Sequence, residues 1–169
     1  MTIILLQIDK SGGDLFEKGY SLVLVKNKKH VFGVNIPIQL KKELNNCFLR
    51  GELNITSKSH KSDKLRFKIR FHTAVIIELI FESLKNEKIG ELSIQICNDF
   101  DGHFHEIKNM IFDNIKVLTQ KLKPEDIVMT KFQKPSFIDT AGKNIRKKRY
   151  EGYKIIKIDS QKIKKIIKR

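Results

Sequence analysis

The sequence predicts an α/β domain: a mixed sheet, antiparallel at its start and parallel afterwards, flanked by helices. Two observations carry this. Early in the chain, short apolar runs are separated by tight turns. Later, apolar runs alternate with segments of helical period, which is how strand–helix units read. With only three prolines and nine glycines in 169 residues, regular elements should dominate, and the length suits one core.

The elements follow in order. Residues 2–8 (TIILLQI) form an apolar run closed by Asp9 and the turn cluster SGGD, which predicts a buried strand. Residues 20–26 form a second strand, Asn27-Lys28-Lys29 a hairpin turn, and residues 30–34 a third strand, so the first three make an antiparallel meander. Pro37 opens a helix carrying Ile38, Leu40, Leu44 and Phe48. Residues 54–63 have no apolar period and read as an exposed loop. LRFKIRF (65–71) alternates strictly, which predicts a strand with Arg66, Lys68 and Arg70 on one wet, cationic face. Residues 72–85 turn to helix, 92–97 to strand, 103–121 to helix, 126–132 to strand and 136–149 to helix. The last stretch, residues 151–169, is basic and amphipathic and reads as strand then helix.

Composition bears on partners. Lys and Arg number 34 against 19 acids, a formal net charge of +15. Such a surface favours polyanions, because each phosphate contact releases counterions; a Lys-rich background that merely aids solubility is the plain alternative. Cys47 and Cys97 make no CxxC pair, which excludes a zinc knuckle. The N-terminal apolar run is too short for a signal peptide and no stretch is long enough for a membrane span. The expectation is an intracellular, cytoplasmic protein with nucleic acid as its partner; the oligomeric state is open.

Acids are scarce in this chain, so their positions carry weight. Asp9 ends the first strand, Asp99 and Asp101 follow strand 92–97, and Asp139 lies early in the helix after the last core strand. Ligand sites in open α/β sheets sit beyond the carboxyl ends of strands. If strands 1 and 92–97 are parallel neighbours, Asp9 meets Asp99 or Asp101 at one edge. Clustered carboxylates suit Mg²⁺ or Mn²⁺, and two such ions about 4 Å apart support phosphodiester cleavage. Each acid also has a plain structural role: Asp9 as a turn residue, the Asp-x-Asp-Gly segment as a cap, Asp139 as a first-turn acid favoured by the helix dipole. His72, at a strand–helix junction, reads as a phosphate contact or a packed core residue.

The segment Ile8-Asp9-Lys10-Ser11-Gly12-Gly13-Asp14-Leu15-Phe16 resembles the first-strand motif of type 2 and type 3 ribonucleases H, an Asp-Glu pair before a Gly-rich loop. Asp101-Gly102 is similar to the family's Asp-Gly after its fourth core strand, with Asp99-Phe100 a competing match. PSFIDTAGKNIRKK (135–148) resembles its small-residue helix bearing Lys and Arg. The resemblance covers about residues 2–149. It implies a ribonuclease H-like domain over residues 1–150, a face for RNA–DNA hybrid, and two-metal hydrolysis by Asp9, Asp99, Asp101 and Asp139. It further implies that Gly12 and Gly13 let backbone amides approach the substrate. Two acids depart from the pattern: Lys10 stands at the second acid, and Lys131 near the last. Asp139 would substitute from the helix, as in type 1 enzymes and resolvases, with Glu78 a further candidate.

Three functions follow from these residues. The first is a divergent metal-dependent nuclease acting on RNA–DNA hybrid or structured nucleic acid. Lys10, Arg66, Lys68, Arg70, Lys131, Lys143, Arg146 and Lys147 would then track phosphates. The second is a non-catalytic nucleic-acid-binding protein on the same fold. The third is a basic interaction protein whose Ile155, Ile156, Ile163, Ile166 and Ile167 dock on a partner or an acidic membrane surface.

Overall fold

The computed structural model of the chain describes residues 3–56 and 59–169; Thr2 of the first expected strand, and residues 57 and 58 of the expected loop, lie outside that range. The elements are β1 (Ile3–Ser11), β2 (Ser21–Lys26), β3 (His30–Asn35), α1 (Ile38–Leu49), α2 (His60–Leu84), β4 (Glu91–Cys97) and α3 (Phe104–Ile115). A short 3₁₀ turn then leads into β5 (Ile127–Thr130), followed by α4 (Phe137–Arg146), β6 (Tyr153–Ile155) and α5 (Ser160–Lys168). They form one six-stranded mixed sheet in the order β5-β4-β1-β2-β3-β6. β1, β2 and β3 pair antiparallel; β4 lies parallel to β1, β5 to β4, and β6 to β3. The meander-then-parallel sheet that the sequence predicts is thus present.

One expected element is absent. Residues 65–71 are not a strand; they are the first half of α2, a helix of 25 residues. Alternation made Arg66, Lys68 and Arg70 look like one face. But Phe67, Phe71 and Val75 also stand four apart, and that stripe runs unbroken into Leu79. No Gly or Pro separates the two halves, so the helical period wins. The helix starts at Ser59, whose hydroxyl accepts from the Ser62 N–H at 3.2 Å, so the expected loop ends earlier than residue 63. The basic triplet is consequently split: Arg66 and Arg70 both reach Glu106, at 3.2 and 3.4 Å, while Lys68 reaches Asp14 at 2.6 Å.

α2 is the central beam. Residues 71–77 are buried without interruption, because the sheet lies on one side and α3 and α5 on the others. Phe67 stacks on Phe48 of α1 with centroids 4.8 Å apart, and Phe16 leans on Phe67 and Phe71. The opposite face of the sheet carries a smaller core in which Ile138, Ala141 and Ile145 of α4 cover Val23, Val25 and Val31. Gly142 lets α4 settle onto the sheet: a Cβ there would sit 3.3 Å from both Ser11 and Val23.

Residues 151–169 complete this domain. β6 pairs with β3 at Phe32↔Lys154, and Ile163, Ile166 and Ile167 of α5 are buried in the main core. The Arg70 guanidinium donates to the Ile167 carbonyl at 2.9 Å. The apolar face expected to dock on a partner or membrane is therefore used internally. Among the described residues no helix is long and apolar enough to cross a membrane.

Candidate functional site

The parallel register of β1 and β4 places Ile8 beside Ile96, so the next pair along is Asp9 and Cys97. Side chains alternate along a strand. Ile4, Leu6 and Ile8 are buried against the α2 side, as are Leu92, Ile94 and Ile96; Asp9 and Cys97 therefore turn to the other face. Asp99 follows two residues later and joins them. One ligand atom from each of Asp9, Cys97 and Asp99 lies within 4.8 Å of the other two.

These groups line a cavity of about 1100 Å³ at the carboxyl ends of β1, β4 and β5. Asp139, from the first turn of α4, also lines the cavity. Cations occupy the same lining: Lys10, Lys131, Lys134, Lys143 and Arg146. The result is a buried acidic centre inside a basic rim.

Burial shapes the chemistry of each acid. Asp9 is only 8 % exposed. Desolvation raises its carboxyl above the usual range, against a hydrogen bond from Cys97 and another from the Lys10 N–H at 2.8 Å. Asp99 is pushed up to about 7 by burial, with the Lys10 ammonium opposing and the charge of Asp9 adding to the rise. Burial, then the two acids, push the Cys97 thiol to about 12. Two carboxylates and a thiol gathered this way resist ionisation together, and a bound cation would relieve that strain.

Behind Asp99 stands His72, wholly buried on α2. Its Nδ1 meets the Tyr20 hydroxyl at 2.5 Å, and its Nε2 lies 3.7 Å from Asp99 Oδ2 without a hydrogen-bond partner. Burial, then the nearby Lys10 charge, hold its pKa down to about 3, so the ring is neutral. Burial also keeps the Tyr20 phenol protonated. When the phenol donates to Nδ1, the ring proton sits on Nε2 and faces the Asp99 carboxyl.

The expected acids divide. Asp9 and Asp99 come together, and Asp139 lines the same cavity outside their cluster, where Lys143 holds it at 2.8 Å and Lys134 at 3.9 Å. Asp101 is exposed, accepts from the Asn98 amide at 2.6 Å and does not line the cavity. Glu78 lies with Lys162 of α5 at 3.9 Å. Of the expected phosphate contacts, Lys10, Gly12, Lys131, Lys143 and Arg146 line the cavity, whereas Gly13, Arg66, Lys68, Arg70 and Lys147 do not. Gly12 has φ +112°, and a Cβ there would sit 2.6 Å from the Gly19 carbonyl oxygen; the close approach it permits is to the chain's own backbone. Sequence reasoning missed Cys97, Lys134 and Tyr20. Cys97 was within reach, because once β1 and β4 are parallel neighbours the two-residue period puts it beside Asp9.

The expected ions fit these residues. Asp9 and Asp99 could supply hard oxygen donors beside Cys97, and the orphaned Nε2 of His72 lies behind Asp99; Asp139 lines the same cavity but stands outside that donor group. No family model matches the chain, and no curated protein or solved structure matches it.

Proposed function

We propose that the chain is a divergent, metal-dependent nuclease of ribonuclease H-like type, acting on RNA–DNA hybrid or structured nucleic acid by phosphodiester hydrolysis. One observation carries the proposal: acids from the end of β1, the loop after β4 and the first turn of α4, their side chains largely shielded from water, line one cavity whose rim is basic. The six-stranded mixed sheet and the Asp9-Lys10-Ser11-Gly12-Gly13 segment at the end of β1 support it. In this reading Asp9, Asp99 and Asp139 would hold Mg²⁺ or Mn²⁺, which would supply an activated water and charge compensation at the leaving oxygen. Lys131, Lys134 and Arg146 draw the phosphate backbone over the acids. His72 Nε2, 3.7 Å from Asp99 Oδ2, would orient that carboxylate on closing to hydrogen-bond distance.

A second reading has its own observation. Lys10 lies 4.0 Å from Asp99, and Lys143 lies 2.8 Å from Asp139. These ammonium groups offset carboxylate charge where ions would do so, which suits a protein that keeps the nucleic-acid-binding surface without the cleavage chemistry.

Labelled RNA–DNA hybrid, duplex DNA and branched DNA, each incubated with Mg²⁺ or Mn²⁺, separate the two. The nuclease reading expects metal-dependent cleavage that disappears in Asp9→Asn. Salt-sensitive binding without cleavage under any of these conditions overturns it and favours the binding protein.

A further inference from the structure

Carboxylates and thiols gather at strand ends without ions, so proximity alone would say little. What sets this cluster apart is His72 Nε2: fully buried, without a hydrogen-bond partner, and 3.7 Å behind Asp99 Oδ2. A buried donor costs about 1–3 kcal/mol when left unpaired. A donor set behind a carboxylate is the usual support for a metal-ligating side chain. Closing the gap to hydrogen-bond distance takes less than about 1 Å.

The donor set in front of that support is not all oxygen. Asp9, Cys97 and Asp99 offer two carboxylates and one sulfur within 4.8 Å of one another, and all three line the cavity. We propose that Cys97 Sγ is a direct ligand of the ion held by Asp9 and Asp99, and that the site takes a borderline divalent cation such as Zn²⁺ or Co²⁺ more tightly than Mg²⁺. This deepens the proposed function by naming the class of ion. Thiolate contributes little to Mg²⁺, which keeps to oxygen and its own waters, and much to later first-row ions. Ligation replaces the Cys97 S–H bond by a sulfur–metal bond and releases the proton to solvent. Mn²⁺ falls between the two extremes, so Mn²⁺ rather than Mg²⁺ is the better activator in this scheme.

Co²⁺ titration of the full chain reads the sulfur directly, because a cobalt–thiolate bond gives a near-ultraviolet charge-transfer band that carboxylates do not. The expected result is a band in the wild type and in Cys47→Ser, lost in Cys97→Ser, with Co²⁺ affinity about tenfold weaker in that variant. Thermal unfolding without metal checks that Cys97→Ser folds. If it does not, the wild type still decides: Co²⁺ must protect Cys97 from alkylation, read by mass spectrometry. Co²⁺ binding without the band, or equal affinity in a folded Cys97→Ser, overturns the proposal. Failure to bind Co²⁺ at all overturns it together with the metal dependence of the nuclease. A band without cleavage sinks the nuclease alone; cleavage without a band sinks only the sulfur ligand.

Discussion

Along β1 and β4, the side chains turned toward α2 are Ile4, Leu6, Ile8, Leu92, Ile94 and Ile96, all essentially excluded from water. Those turned the other way include Gln7, Asp9, Ser93, Gln95 and Cys97, most of them partly exposed. The same two strands thus present one face of hydrocarbon and one mixed face, with Ile3 and Leu5 at its start and polar groups toward the carboxyl ends. The reason lies in what covers them. The layer containing α2 covers the first face, whereas on the other α4 rests over β1, β2 and β3, and the cavity opens beside it at the carboxyl ends of β1, β4 and β5. A face covered by helix must be apolar. A face left open can hold charge, and there the cavity forms. The stability of this fold and its chemistry are therefore separated by the alternation of single strands.

Neighbouring residues on one strand give the sharpest test of that separation. Ile94 is fully buried against the α2 layer, and Ile94→Ala should cost about 3 kcal/mol in urea unfolding. Gln95, one residue on, meets the Gln7 amide at 3.0 Å on the open face. Gln95→Ala should cost about 1 kcal/mol or less. Equal losses at the two positions would mean that the open face contributes to folding as the covered one does.

Asp99 should show the opposite sign. Its carboxyl titrates near 7 in the fold against 3.8 as the ordinary value. The folded state therefore holds the proton more tightly, and stability is lost as pH rises between 3.8 and about 7. Asn, which carries no charge to desolvate, removes this loss. Asp99→Asn should thus stabilise the metal-free protein by about 1–2 kcal/mol at pH 8. The gain should shrink as pH falls through 7 and vanish below 3.8. Denaturation in chelator across that range checks it, and a variant less stable than wild type at pH 8 would show that Asp99 is a structural residue.

How far the sequence reveals these two faces depends on which pattern each element displays. The strands of the meander and β4 announce themselves because their apolar runs end at turn residues, and the position of Asp9 at a strand end follows from that alone. The segment 65–71 misleads because seven residues of alternation satisfy a strand while the flanking stripe at Phe71, Val75 and Leu79 satisfies a helix. The helical stripe, carried through Val75 and Leu79 with no Gly or Pro between the halves, decides for the helix, and tertiary packing reinforces it where residues 71–77 are buried throughout. The choice between Asp99 and Asp101 is invisible to spacing. Both follow β4, but Asp99 continues its alternation into the cavity while Asp101 lies outside the lining, its carboxylate accepting from the Asn98 amide. His72 enters the site from another layer entirely, and no local pattern links it to Asp99.

The misread segment also yields the last and smallest effect, which concerns where the positive charge is available. The chain's basic residues fall into at least two groups. Arg66 and Arg70 share the single carboxylate of Glu106, and Lys68 is held by Asp14, so these three are drawn toward acids of the fold with one positive charge left over. Lys131 and Arg146 line the cavity. Binding of an oligonucleotide depends on salt with a slope of about 0.9 per phosphate contact on duplex DNA. Replacing both Lys131 and Arg146 with Ala should lower that slope by about 2, and weaken binding modestly at physiological salt. Replacing both Arg66 and Arg70 should leave the slope unchanged, and lower stability instead, because Arg70 also holds the Ile167 carbonyl of α5. If the Arg66 and Arg70 pair lowered the slope as much, nucleic acid would be bound outside the cavity, and the polar face of β1 and β4 would lose its claim to the substrate.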